Sequence, residues 1–247
     1  MINPMDLSAK HIIITGGSSG IGRQCAIQAS RLGARVTLIA RREDRLQETV
    51  QMMERPENHR YFILDLSETE KIEDLVNEIV VQSGKVDGLC HAAGIVADRI
   101  LKQCKPAYIE KILRIHFGAF AELIRCLSKK DNLNNQASLV GISSCAAEKG
   151  NIAQGAYAAA KAAMNGFIRP IAQELAPREI RVNTVAFAMV NTIMFQNFLE
   201  NAVNLELLKR QNLGLIDVES ASNAVMFLLS DACRYITGTV LPVYAGY

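Results

Sequence analysis

No two of the six cysteines (Cys25, Cys90, Cys104, Cys126, Cys145 and Cys233) stand in a Cys-x-x-Cys spacing, and most sit in apolar runs. That excludes a dithiol or metal-ligating cluster read from spacing and leaves buried, reduced thiols as the expectation. Net charge is nearly absent: 27 Lys and Arg against 25 Asp and Glu give +2, with bases scattered among acids. No nucleic-acid partner is implied. No apolar run approaches the about 18 residues of a membrane span, and the opening MINPMDLSAK lacks the apolar core of an export signal. The chain is therefore expected to be cytoplasmic, with no membrane partner. Repeats, low-complexity tracts and linkers are also missing, so residues 1–247 are read as one domain.

What is present is an alternation. Short apolar, often β-branched runs at 11–14, 35–40, 60–64, 88–91, 138–142, 181–187 and 239–243 read as strands. Between them, segments at 20–32, 42–53, 68–82, 106–127, 154–175 and 218–230 carry helical periodicity. Strands that are apolar without alternation, each followed by a helix, predict a parallel sheet covered on both faces. This is an α/β, doubly wound, Rossmann-type fold with seven strands, which binds ligands at the carboxyl ends of its strands.

The first strand runs into TGGSSGIGR. Gly16, Gly20 and Gly22, with Ser18, Ser19 and Ile21 between them, allow a tight turn and close approach of a pyrophosphate to a helix N-terminus. The spacing Gly-x-x-x-Gly-x-Gly has one residue more than the common dinucleotide fingerprint. A glycine-assisted helix cap is the alternative. The second strand ends in IARRED, where a carboxylate would accept from a free ribose hydroxyl. Arg41 and Arg42 would instead grip a 2′-phosphate, favouring NADP(H) over NAD(H), unless both simply solvate the next helix. Asp65, read as ending the third strand, is a candidate acceptor for an adenine amino group or a helix cap.

Tyr157 and Lys161 stand four residues apart on one helix, so both can face one cleft. A nearby ammonium, joined by an oxidised nicotinamide, is expected to stabilise the phenolate of Tyr157 and bring its pKa toward the working range. Ser144, thirteen positions earlier, can donate to the same substrate oxygen. An alanine-rich helix that packs on a neighbouring subunit is the alternative. Ser143 reads as a turn residue.

These motifs resemble the short-chain dehydrogenase/reductase family in its shorter form, over nearly the whole chain. The resemblance rests on TGGSSGIG, on Asp65-Leu66, on Ala92-Ala93-Gly94, on the serine before YAAAK, on RVN opening strand six, and on LLSDACRYITGTVL. It implies NAD(P)-dependent interconversion of alcohols and carbonyls, usually by tetramers or dimers. By that resemblance Tyr157 is the acid/base, Lys161 its tuner and a ligand of the nicotinamide ribose, and Ser144 the carbonyl orienter. Val190 and Thr192 match positions that meet the nicotinamide carboxamide. In general form the chain is similar to 3-oxoacyl-acyl-carrier-protein reductases, although Asn135 and Gln173 stand where a basic carrier-protein dock is often found.

Departures from the family pattern are specific. His116 occupies the place of a proton-relaying asparagine, and can relay, add a pH dependence or merely pack. His91 and Ala92 replace two asparagines, Phe187-Ala188 replaces Pro-Gly, and Ser19 stands where NADP-using relatives often carry a base. Residues 191–214 match the substrate lid, and Ile193, Met194, Phe195, Phe198 and Leu199 suit either an acyl chain or packing onto the core. The expectation is an NADPH-dependent carbonyl reductase acting on a small molecule. A cofactor-binding scaffold with little turnover is the alternative, and a sugar epimerase is disfavoured because the longer relatives carry an additional substrate domain.

Overall fold

The computed structural model describes residues 3–95, 97–196 and 208–247. Seven strands, β1 (His11–Thr15), β2 (Arg35–Ala40), β3 (Arg60–Ile63), β4 (Val86–His91), β5 (Leu133–Ser144), β6 (Arg181–Phe187) and β7 (Val240–Val243), form one sheet. Their order is β3-β2-β1-β4-β5-β6-β7, and every pairing is parallel. The order reverses between β1 and β4, which opens a crevice beyond their carboxyl ends.

Helices cover both faces, which explains why the strands read as unbroken apolar runs. Ile12 and Ile14 of β1 pack with α1 (Gly20–Arg31), α2 (Glu43–Gln51) and α9 (Val218–Leu229). Ile13, between them, points to the opposite layer of α3 (Ile72–Ser83), α5 (Ala119–Leu127) and α7 (Gly155–Leu175). Shorter helices are α4 (Pro106–Leu113), α6 (Ala146–Lys149) and α8 (Ile193–Gln196). The Asp217 side chain accepts from Ser220 N and starts α9, as a helix-start signal in DVES should. No helix among the described residues is long and apolar enough to cross a membrane.

Three local expectations are corrected. β3 ends at Ile63, so Asp65 lies two residues past the strand. β5 begins at Leu133, because its polar first half, NNQ, hides a strand extension that a register irregularity accommodates opposite Val86 and Gly88. The helix expected over 106–127 is interrupted by a π-helical turn, Arg114–Gly118, which carries His116. The cysteines are free, and all but Cys104 are buried.

Candidate active site

The turn after β1 is built from backbone that tolerates no side chain. Gly16 has φ +68°, and a Cβ there would lie 2.8 Å from the Ala92 backbone. A Cβ on Gly22 would lie 2.4 Å from Gly16 O, so α1 butts directly against the turn. Ser19 is the N-cap of α1 but its side chain makes no capping bond. The N-terminus of α1 thus presents unpartnered N–H groups to an anion, beside a backbone surface kept bare.

One cleft collects the residues expected to act in catalysis or to bind the cofactor. Gly16 and residues 18–22 floor one end, with Arg41, Arg42, Asp65 and Leu66 beside them. Ala92, Ala93 and Gly94 follow β4, and His116, Ser144, Tyr157, Lys161, Val190 and Thr192 complete the opposite end. Arg41 Nη1 lies 3.6 Å from Asp65 Oδ2, so these two expected ligands of the adenosine end also hold each other. Partial burial pushes the Asp65 carboxyl up, but hydrogen bonds from the Ser67 backbone and hydroxyl, with Arg41 adding to them, bring it below its ordinary value. Arg42 occupies the N-cap position of α2.

At the other end, Lys161 is 4% exposed; its Nζ donates to Ile142 O at 2.6 Å and lies 5.6 Å from the centre of the Tyr157 ring. Burial brings the Lys161 ammonium down to about 7. Burial also pushes the Tyr157 phenol up to about 12, against a smaller lowering by the Ser144 hydroxyl. Desolvation is the largest influence on both groups: it favours the phenol at Tyr157 and the neutral amine at Lys161.

The Lys161 shift has a consequence for stability. An unfolded lysine titrates near about 10.4. Between about pH 7 and 10 the unfolded chain therefore binds more protons at this site, and stability rises with pH. Relative to Lys161→Met, the wild-type unfolding midpoint should climb between pH 7 and 9; parallel profiles would refute the assignment. The raised Tyr157 phenol acts with the opposite sign, and only above about pH 10.

His116 is 2% exposed and its ring meets the Tyr157 ring edge-on, with centroids 5.2 Å apart. Its Nε2 lies 3.1 Å from Ile95 O, while Nδ1 has no partner among the described residues. Burial, reinforced by Lys161, holds its pKa well below the ordinary histidine value. Burial thus favours the neutral ring, and Ile95 N also lies within reach of Nε2 at 3.4 Å, so Nδ1 is an acceptor only in the tautomer in which Nε2 donates to Ile95 O. A Cβ on Gly94 would lie 2.5 Å from His116 Cε1, so that glycine makes room for the ring.

His91 is buried, with Nδ1 3.0 Å from Thr15 Oγ1 and Nε2 unpartnered. Burial, then the Lys161 charge, lowers it to about 3. Ser143 is corrected from turn to strand: it lies within β5, buried, with an unpartnered hydroxyl. Ser144 ends that strand, where its Oγ accepts from Ala146 N. Within the expected lid, Ile193 is 63% exposed and Phe195 is buried, while Phe198 and Leu199 lie outside the described residues. Asp98, Asn151, Gln154 and Tyr247 also line the cleft. Reading the sequence missed them; Asn151 and Gln154 stand just before YAAAK, and only that proximity could have signalled them.

Comparison with known proteins agrees with this fold. The profile of a family described as enoyl-(acyl carrier protein) reductase matches residues 16–247. Carbonyl reductase family member 4 of Danio rerio is 33% identical over 236 residues, covering 95% of this chain and 96% of that protein. The 3-oxoacyl-acyl-carrier-protein reductase FabG of Vibrio cholerae is 31% identical over 244 residues, 98% of each chain. A solved structure of a blue fluorescent protein from a metagenomic library, in complex with NADPH, superposes with a TM-score of 0.90 at 26% identity, over 98% of both chains.

Proposed function

The chain belongs to the short-chain dehydrogenase/reductase family, and from that premise we propose that it is an NADPH-dependent reductase converting a keto group into a secondary alcohol. The observation that carries this reading is that Tyr157, Lys161 and Ser144 share one cleft whose other end is a bare glycine cradle. A phenol is the state required of a proton donor.

The residues fit a dinucleotide. Gly16 and Gly22 leave the backbone bare where a Cβ would intrude, the N-terminus of α1 is suited to phosphate, and Arg41 and Arg42 line the same cleft with the charge a 2′-phosphate would call for. When bound, the nicotinamide supplies the hydride. Tyr157 then gives its proton to the developing alkoxide, and Ser144 orients and polarises the same oxygen. Lys161, anchored on Ile142 O, replaces part of the phenol's lost solvation as it ionises. His116, edge-on to the phenol and with Nδ1 unpartnered among the described residues, is the group through which Lys161 would be resupplied with protons.

An NADPH-oxidation screen over β-keto thioesters, keto sugars, diketones and quinones tests the proposal, with NADH as control. The expected result is turnover with NADPH at a KM at least about tenfold below that for NADH, as loss of charge-assisted phosphate bonds implies. The double replacement of Arg41 and Arg42 by alanine should erase most of that difference. Equal rates with NADH would remove the phosphate assignment. Tight NADPH binding with no carbonyl turned over would favour the scaffold reading.

A further inference from the structure

The cleft carries a row of polar side chains that the proposed proton transfer does not use. The Tyr247 hydroxyl donates to Asn151 Oδ1 at 3.3 Å, Asn151 Nδ2 donates to Gln154 Oε1 at 3.1 Å, and Gln154 Nε2 donates to Asp98 Oδ1 at 3.2 Å. All four residues line the cleft that holds Tyr157. Each amide turns its oxygen toward Tyr247 and its nitrogen toward Asp98, so every hydrogen in the row points one way. The row ends on a carboxylate.

Three segments distant in sequence meet to build this wall. Arg99 N donates to Ala153 O at 2.7 Å, and Lys149 Nζ donates to Tyr247 O at 2.9 Å. Asp98 has no ion-pair partner among the described residues, and the adjacent Arg99 lies over the Tyr108 ring instead, 4.2 Å from its centroid. The Asp98 charge reaches the reaction centre, since it helps raise the Tyr157 phenol.

Resting on the reductase reading above, we infer that this wall selects a neutral ketone bearing hydroxyl groups near the carbonyl, of the keto-sugar class. An exposed carboxylate that no cation among the described residues covers takes hydrogen-bond donors, from water in the open cleft and from substrate hydroxyls when the cleft is filled. An acyl chain against the same wall would desolvate Asp98 and the amides without replacing their hydrogen bonds. A phosphate or carboxylate placed beside Asp98 would be repelled. Sites that bond a substrate hydroxyl reject analogues lacking it far more strongly than apolar pockets reject an added hydroxyl.

The test measures kcat and KM with NADPH for dihydroxyacetone, erythrulose and a 3-keto-glucoside. The same is done for carbon-matched ketones without hydroxyls and for an acetoacetyl thioester. Wild type, Asp98→Asn, Asp98→Glu and Tyr247→Phe are compared, with circular dichroism as the check on folding. Hydroxylated ketones should be favoured at least about tenfold in kcat/KM. Asp98→Asn should shrink that ratio about tenfold, mainly through KM, and Asp98→Glu should restore part of it. Reduction of the unhydroxylated carbonyls at equal or higher kcat/KM overturns the inference and leaves the reductase reading standing, as does a variant that scales both classes alike. Failure of wild type to reduce either class overturns both.

Discussion

Replacing Tyr157 with phenylalanine is expected to lower kcat for carbonyl reduction by about 10²- to 10⁴-fold, the range of a lost general acid. The change removes one oxygen from a ring that packs edge-on against His116 and with Ile112, Ala156 and Ala160, so the apolar contacts persist. NADPH affinity should stay nearly intact, because the glycine cradle, Arg41 and Arg42 are untouched. Single-turnover rates and equilibrium binding of the dinucleotide, measured on the same preparation, separate the two effects. A variant that keeps most of its turnover would show that another group delivers the proton, and the site would have to be rebuilt around it.

Gly22→Ala should produce the largest loss on the binding side. The added Cβ would be placed 2.4 Å from the carbonyl oxygen of Gly16, a backbone atom that no rotamer change can move aside. Either α1 retreats from the turn or the turn opens. Overpacking of this kind costs about 1–3 kcal/mol in stability. The same displacement shifts the N-terminus of α1, the proposed phosphate site, so NADPH affinity should fall more than tenfold by the sensitivity of such sites to small displacements. Thermal unfolding without ligand and calorimetric titration with NADPH give the two numbers. Unchanged affinity in a folded variant would mean that the phosphates do not sit at this turn.

The architecture was legible because the sheet is buried on both sides. Ile12, Ile13 and Ile14 form a run that would be wasteful in a half-exposed strand, and the structure sends them alternately to two helical layers. The glycine turn, Ser144, Tyr157 and Lys161 were legible because their chemistry depends on residue type at fixed spacing along one turn and one helix. Other features depend on contacts that spacing does not encode. The shift of the Tyr157 phenol depends on how many protein atoms displace water around it, which the spacing to Lys161 does not encode. Ser143 looked like a turn residue beside Ser144, yet β5 continues through both. The polar wall unites residues 98, 151, 154 and 247, which only tertiary folding brings together.

The π turn at Arg114–Gly118 sets a phase as well as a position. An α-helix advances by about 100° per residue, so one extra residue in a turn rotates everything after it by roughly that angle. Ile112 before the turn packs with Ala97, Ala156 and Ala160 near the cleft, whereas Ala119, Phe120 and Leu123 after it face the sheet. Trimming one residue between 114 and 118 would wind the helix back into phase and turn one of these two faces toward water, even with every side chain of the cleft kept. Identity at position 116 and chain length across 114–118 are thus separate variables: the first sets which ring meets Tyr157, and the second decides whether α4 and α5 can both be seated at once.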